Sequence, residues 1–276
     1  MPTVKSLIFL ILFVVPFLMF FYQSREEIFI LAQDNVCFEV WKGFNNDGVG
    51  YSAFENGKFR MWINDTSGGW SLSKISRGLM PHHWGLRYAP INEIEIKKSV
   101  NFFSSDIILE IDLKLIDYRN YTVSNSSMNV AIVLFFDGFI TDYQEKCYQT
   151  EIQFFSYYGD RIQKDQEWYF TWRNDSVAQF KLSDNLQKGV FKHYKINLLP
   201  YIENMMKYYN LNHVKLKHIE IFTEAYKGYS EFEVYSAKIY LNRNLFSSSF
   251  VIFIITYYIF LSAYIILKKA KITSKR

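Results

Sequence analysis

The chain has 276 residues, of which 50% are hydrophobic, 19% aromatic and 21% charged, and its formal net charge is +4. This composition excludes a disordered chain, and the charged share is too high for a polytopic membrane protein. The positive charge lies in the flanks, because 23–245 carries 25 basic and 27 acidic residues. A nucleic-acid partner is therefore excluded, since it requires a basic working domain.

The first 22 residues form an apolar leader. Leu7 to Tyr22 is almost uninterrupted Leu, Ile, Phe and Val, preceded by Lys5 and broken by Pro16. The run is long for the core of a signal peptide and short for a full membrane span, and no small-residue cleavage site follows it. Two interpretations of 1–22 stay open: a cleaved signal peptide, or a signal-anchor helix that contacts membrane lipid through 7–22.

The other end of the chain predicts a membrane anchor. The segment 246–267 has no charged residue and ends at Lys268-Lys269. As a helix it would cross about 30 Å of hydrocarbon. The basic tail 268–276 is then cytoplasmic by the positive-inside rule. A buried core helix is the alternative. We expect a cell-membrane protein that contacts lipid through 246–267 and exposes 23–245 outside the cell.

Two further features bear on an extracellular location. Four Asn-x-Ser/Thr sequons are candidates for N-glycosylation, at Asn64, Asn120, Asn125 and Asn174. The chain has two cysteines, Cys37 and Cys147. Outside the cell they could form one disulfide, and two free thiols are the alternative.

The interior predicts one all-β domain. Segments rich in aromatic and branched residues, several with period-two alternation, predict strands at 58–63, 107–116, 129–136, 150–155, 168–172, 218–226 and 231–241. Apolar residues at helical spacing, with Pro200 near the start, predict one helix over 198–211. Many strands with one late helix favour a two-sheet β-sandwich or jelly roll, flanked by the terminal transmembrane helices.

Two strands carry polar residues that could perform chemistry. Gln149, Glu151 and Gln153 share one face of the first, which is either a solvated surface or the floor of a binding cleft. On the second, Glu224 lies between Phe222 and Tyr226, where desolvation would raise its pKa towards that of a general acid. Two such carboxyls facing each other are the machinery of a retaining glycosidase. The histidine spacing does not predict a metal site, and no cofactor is expected.

The order of these features resembles glycoside hydrolase family 12, the cellulase-type β-jelly rolls, especially those of hyperthermophilic archaea. The resemblance covers roughly 35–242. Val40-Trp41 before a Gly/Asn loop is similar to the early Asn-x-Trp strand of the family. Pro81-His-His-Trp-Gly85 resembles its Pro…Tyr-Gly stretch, and Met128-Asn-Val-Ala131 resembles the beginning of its Asn-hydrophobic-Ala-Tyr-Asp strand. The segment 198–211 falls where the family has its single helix.

Two further motifs carry the family's catalytic residues. Glu151-Ile-Gln-Phe-Phe155 resembles the strand with the nucleophile, and Ile219-Glu-Ile-Phe-Thr-Glu224 resembles the strand with the acid/base. The resemblance implies that Glu151 is the nucleophile and Glu224 the acid/base of a retaining endo-β-glucanase. It implies a β-linked polysaccharide as partner and Trp41 as a sugar platform. Trp41 in the core is the alternative. Gln153 and Trp84 are further candidates for substrate binding.

The sequence departs from the family at positions around both carboxyls. Val133 replaces the Asp that hydrogen-bonds near the nucleophile, and Phe222 replaces the Gly before the acid/base. These departures motivate a second hypothesis, a catalytically inactive glycan-binding or cell-envelope protein of the same fold. A structural surface subunit that assembles through aromatic patches is a third.

Overall fold

The computed structural model of the protein describes residues 23–78, 94–97, 106–122, 124–139, 145–172 and 175–244, together with 257, 258 and 261. The predictions for 1–22, 268–276, Trp84 and Asn174 fall outside these residues, as does nearly all of 246–267. Among the residues described, no helix combines the length and the apolarity that a membrane crossing needs.

The chain divides into two compact units. The larger comprises Glu27–Lys98 and Ile107–Tyr240. Of the smaller unit, the structure describes 23–26, Asp106, 241–244 and the three isolated residues near the carboxyl end. The fold and the site described below belong to the larger unit.

The described residues are almost entirely β-structure. The first strands are β1 (Gln23–Ile30), β2 (Cys37–Trp41), β3 (Val49–Glu55), β4 (Lys58–Asp65), β5 (Ser71–Gly78), β6 (Ile94–Lys97), β7 (Asp106–Asn120) and β8 (Ser127–Phe139). The later strands are β9 (Glu145–Tyr158), β10 (Arg161–Ile162), β11 (Gln166–Trp172), β12 (Asp175–Lys181), β13 (Phe191–Asn197), β14 (His213–Tyr226) and β15 (Gly228–Asn244). The helix α1 (Leu199–Tyr208) precedes β14, and a 3-10 turn (Gln33–Asn35) precedes β2.

These strands form two sheets. One has the order β13-β7-β15-β4-β3, with β1 beside β15. The other, the nine-stranded sheet, has the order β11-β12-β9-β8-β14-β5-β2, with β10 beside β9 and β6 beside β14. Ring contacts join the sheets: Phe154 with Tyr194 and Phe155 with Tyr118, each at 4.9 Å between centroids. The protein is therefore a two-sheet β-sandwich.

The core lies between the sheets because the strands alternate apolar and polar residues. One cross-strand row of the nine-stranded sheet points inwards and consists of Phe38, Ile75, Ile221, Ile132, Ile152 and Phe180. Opposite it, β7 contributes Leu109, Ile111 and Leu113, all fully buried. At about 1.5–3 kcal/mol for each buried aliphatic side chain, these rows supply a large share of the hydrophobic stabilisation.

The structure confirms the predicted class, an all-β sandwich with one helix, and every predicted strand segment lies within or largely within an observed strand. The helix is shorter than the predicted 198–211. It ends at Tyr208, because Asn210 adopts a left-handed conformation with φ of 55°. Leu211 is nevertheless fully buried, which explains why the apolar pattern continues beyond the helix.

Candidate active site

The face of the nine-stranded sheet that points away from the core carries most of the predicted site residues. We call it the outer face. It is defined by two cross-strand rows of residues, together with the residues two positions before or after them on the same strands. The first row is Cys37, Ser76, Glu220, Val133, Glu151, Gln179 and Trp168. The second is Glu39, Lys74, Phe222, Ala131, Gln153, Lys181 and Gln166.

Glu151 lies in the centre of this face and is held by two amides. Its carboxylate accepts hydrogen bonds from Nε2 of Gln153 at 2.5 Å and from Nε2 of Gln179 at 3.0 Å. The residue is only 6% exposed, and this burial raises its pKa, although both amides and the charge of Lys181 act in the opposite direction. The amide donors favour the ionised form over the neutral one. The two amides therefore offset part of the cost of burying a carboxylate at Glu151.

Glu224 occupies a different environment on the same face. It lies two strands away on β14, and its carboxyl accepts one hydrogen bond, from Nδ2 of Asn129 at 3.1 Å. Burial and the negative charge of Glu151 raise the pKa of Glu224 to about 8. The Coulombic effect requires the two carboxyls to be near each other. At neutral pH Glu224 therefore holds a proton.

An apolar cluster lies on the two strands that carry the glutamates and on β8 between them. Val133 pairs with Glu151, and Phe222 lies two residues before Glu224. Both belong to a buried cluster whose members are Ala131, Val133, Phe135, Cys147 and Phe222. This cluster replaces polar surroundings with hydrocarbon and accounts for the desolvation that raises both pKa values.

A charge network extends the face towards β2 and was not predicted. Lys74 donates to Glu220 at 2.7 Å and forms an ion pair with Glu39 at 3.3 Å. Nε2 of His218 lies 3.0 Å from the same oxygen of Glu220. Burial opposes ionisation of Glu220, but Lys74 and His218 outweigh it and hold the pKa at about 2. Glu220 is thus a permanent anion, unlike Glu224 on the same strand.

Aromatic residues lie near both ends of the outer face. Trp41 is half-buried, and the edge of its ring contacts Phe44 at 5.2 Å between centroids. In the sheet, Trp41 pairs with Leu72, and Leu72 pairs with Glu224. Trp41 is thus on the outer face and not in the core. At the opposite edge, Trp168 is 52% exposed and lies beside Gln179. The two rings thus lie at opposite edges of the outer face.

The two cysteines do not form a disulfide. Both are free thiols, Cys37 on β2 and Cys147 on β9. Four strand spacings of about 4.8 Å separate these strands, which places the residues about 19 Å or more apart. A disulfide requires Cα atoms within about 7 Å, so the pairing is ruled out by the sheet order.

Three of the candidate glycosylation sites are described. The side chain of Asn64 accepts a hydrogen bond from the hydroxyl of Tyr121 at 2.8 Å, and the amide of Asn120 donates to the hydroxyl of Tyr157 at 3.0 Å. Asn125 is exposed. Among these three, Asn125 presents its side chain to solvent most openly.

The partners of the two glutamates could not be read from local sequence. Gln179 reaches Glu151 because β12 runs parallel to β9, and Asn129 reaches Glu224 because β8 lies beside β14. In 177–181, the polar Gln179 and Lys181 alternate with the apolar Ala178 and Phe180. This alternation was an available signal for a second polar face. Within the described part of the chain, no group of three acidic, histidine or cysteine side chains is arranged to hold a metal ion.

No family model matches the chain, and no curated protein matches it in sequence. Among solved structures, a family 11 xylanase from Neocallimastix patriciarum is similar with 12% identity and a TM-score of 0.47, over 80% of this chain and 100% of the other. A family 12 xyloglucanase from Bacillus licheniformis is similar with 12% identity and a TM-score of 0.48, over 79% and 99% of the two chains.

A third similar structure is endoglucanase 3 of family 12 from Trichoderma harzianum, with 14% identity, a TM-score of 0.44, and coverage of 80% of this chain and 97% of the other. The similar structures are thus glycoside hydrolases of families 11 and 12. At these identities and TM-scores the likeness does not place the chain in either family.

Proposed function

We propose that the protein is a retaining glycoside hydrolase that cleaves β-linked polysaccharide with Glu151 and Glu224. The observation that carries this proposal is the asymmetry of the pair. Glu151 accepts two amide hydrogen bonds that favour its anion, and Glu224 has a pKa raised to about 8. A nucleophile must be ionised and a general acid protonated at the same pH.

The reaction follows from these protonation states. The Glu151 carboxylate attacks the anomeric carbon, and the bond to the leaving oxygen breaks as Glu224 transfers its proton to that oxygen. Glu224, now a carboxylate, removes a proton from water. The water oxygen attacks the anomeric carbon, the bond to Glu151 breaks, and both side chains return to their starting states. Trp41 and Trp168 would stack on the apolar faces of the sugar rings.

The test compares matched glutamate variants of the full chain in a mild detergent, on a panel of β-linked glucans. Glu151→Gln and Glu224→Gln should each lower the release of reducing ends by about 10³-fold, the scale expected for loss of such a group. Glu203→Gln, an exposed glutamate on α1, should have no effect. Product formed with net retention at the anomeric carbon is expected by NMR. Activity that survives both site variants would overturn the assignment.

A second candidate, a glycan-binding protein without catalysis, is favoured by one observation. Phe222 is 7% exposed and lies on the same strand as Glu224. It packs with Ala131 and Val133 of β8, the strand between the two glutamates, where a hydrolase needs room for the anomeric centre. Glycan binding by the unaltered protein, with no hydrolysis by the unaltered protein between pH 4 and 9, would support this candidate.

The location of the site is also a proposal. The charge distribution of the flanks supports a protein anchored in the cell membrane with the sandwich outside the cell. In intact cells, an added protease should digest the sandwich and leave the tail 268–276 protected. Protection of the sandwich in intact cells would contradict this topology.

A further inference from the structure

Lys181 is a buried ammonium on the outer face, and the carboxylate whose charge acts on it is that of Glu151. It is 9% exposed, and its Nζ lies 3.5 Å from Oε1 of Gln166 and 4.6 Å from the ring centroid of Trp168. It forms no ion pair with any carboxylate of the described residues. Lys74, equally buried at 8%, provides the contrast, because two carboxylates hold its ammonium.

A buried ammonium that has no close ion pair is unfavourable for the folded protein. Removing an ammonium from water is costly unless an anion and hydrogen bonds replace the lost hydration, and one long amide contact and one aromatic ring replace it only in part. Burial lowers the pKa of Lys181, and the charge of Glu151 raises it. Uncompensated polar groups of this kind are typical of binding sites, where the ligand supplies the missing partner.

The position of Lys181 indicates where on a ligand that partner would be. Lys181 is two residues from Gln179, the amide that contacts Glu151, so its Cα lies about 6.6 Å further along the strand at ~3.3 Å per residue. Trp168 is exposed beside it and offers an apolar ring surface for a sugar.

We propose that the outer face binds an acidic glycan, with the anionic substituent of one sugar paired with Lys181 and the sugar ring packed against Trp168. This inference rests on the proposed function, because it names the class of glycan that the same site takes. A hexuronate carboxylate and a sulfate ester share the required chemistry, since an ammonium acts as a point charge and does not distinguish their geometries.

The experiment measures binding and not hydrolysis. Titration calorimetry on the full chain in detergent would use two matched pairs of probes: a β-1,4-linked mannuronate tetramer with mannotetraose, and sulfated cellotetraose with cellotetraose. Repeating it with Glu151→Gln keeps the probes intact. We expect at least one acidic probe to bind about tenfold more tightly than its neutral counterpart, with a preference that weakens as salt is added.

Two substitutions and a control assign the preference to Lys181. Lys181→Met should abolish the preference and leave the affinity for the neutral probes unchanged, whereas Lys181→Arg should retain it. Lys164→Met, which removes an exposed lysine of the loop before β11, should change nothing. Equal affinity for acidic and neutral probes in the unaltered protein, no binding of any probe, or a preference that survives Lys181→Met would overturn the proposal.

Thermal unfolding distinguishes a lysine that serves ligand binding from one that stabilises the fold. Because Lys181→Met removes a buried charge that has no close ion pair, the Tm of the free protein should be unchanged or higher. A clearly lower Tm would mean that Lys181 stabilises the fold, and would contradict the role in binding. The binding experiment does not depend on hydrolysis. If the protein prefers acidic probes but cleaves no glycan, the proposed hydrolase activity is wrong and the inference about Lys181 still holds.

Discussion

Asn129 is the one side chain whose hydrogen bond to Glu224 is described, and it donates at 3.1 Å. A donor stabilises the charged carboxylate and therefore lowers the pKa of Glu224 against the larger upward effect of burial. Asn129→Leu removes the donor at similar volume. The alkaline limb of kcat/KM, expected near pH 8 from loss of the acid, should then move to higher pH.

The limb can be checked by a pH–rate profile and, independently of turnover, by a carbon NMR titration of the Glu224 carboxyl in the full chain. Asn212→Leu, at an exposed position before β14, is the control and should leave both curves in place. An alkaline limb that stays near pH 8 or moves to lower pH in Asn129→Leu would show that this hydrogen bond does not control the acid.

Single residues of the site differ in how far the sequence predicts them. Glu151 and Glu224 follow from polar residues in alternating β segments, and the structure places both on the predicted faces. The ionisation of Glu220 could not be predicted, because Lys74 comes from another strand and reaches it only after β5 and β14 pair. Sequence spacing gives the face of a side chain but not the charge of its cross-strand neighbour.

At the scale of elements, β9 shows where the alternation rule fails. The pattern places Ile152 and Phe154 on one face and Phe155 on the other. In the structure the register shifts at Val130/Ala131, and both Phe154 and Phe155 contact rings of the opposite sheet. A bulge adds one residue to one strand and reverses the alternation beyond it. Strict alternation would have turned Phe155 towards the outer face.

The connection between β4 and β5 depends on one carboxylate. Asp65 is fully buried and accepts hydrogen bonds from the amides of Gly68 at 2.6 Å, Gly69 at 3.3 Å and Ser71 at 3.2 Å. Asp65→Ala leaves these amides without their acceptor. We expect a loss of about 3 kcal/mol in the free energy of unfolding, measured by urea denaturation of the full chain.

Asp65→Asn removes the negative charge but keeps one carbonyl oxygen as an acceptor. We therefore expect it to lose less stability than Asp65→Ala. Glu203→Ala on the exposed side of α1 controls for general effects of removing a carboxylate. A loss below about 0.5 kcal/mol in Asp65→Ala, the usual range of surface substitutions, would show that the loop is held by other contacts.

At the scale of the whole molecule, the sequence predicts the class of fold but not its topology. The consecutive strands β14 and β15 lie in different sheets, with Lys227 between them at φ of 51°. The neighbours β9 and β12 are parallel and separated by two other strands in sequence. Such pairings depend on packing between distant segments, which periodicity does not encode.

The buried carboxyls together predict an unusual dependence of stability on pH. Glu220 has a pKa of about 2 against an ordinary value of 4.5, so its contribution is complete above pH 4.5 and is lost as the pH falls towards 2. Glu224 has a pKa of about 8, so its contribution is complete below pH 4.5 and is lost as the pH rises through 8. The contributions of these two groups to the free energy of unfolding are therefore jointly greatest near pH 4.5.

Two variants separate the acid and alkaline effects when unfolding is followed from pH 3 to 9. Glu224→Gln cannot ionise, so it should equal the unaltered protein at pH 4 and exceed it by about 5 kcal/mol at pH 9. Glu220→Gln should be destabilised at pH 7, because Lys74 loses a partner, and the deficit should shrink as the pH approaches 2. If Glu224→Gln followed the unaltered protein at every pH, Glu224 would titrate alike in the folded and unfolded chains, and the proton assigned to it at neutral pH would be absent.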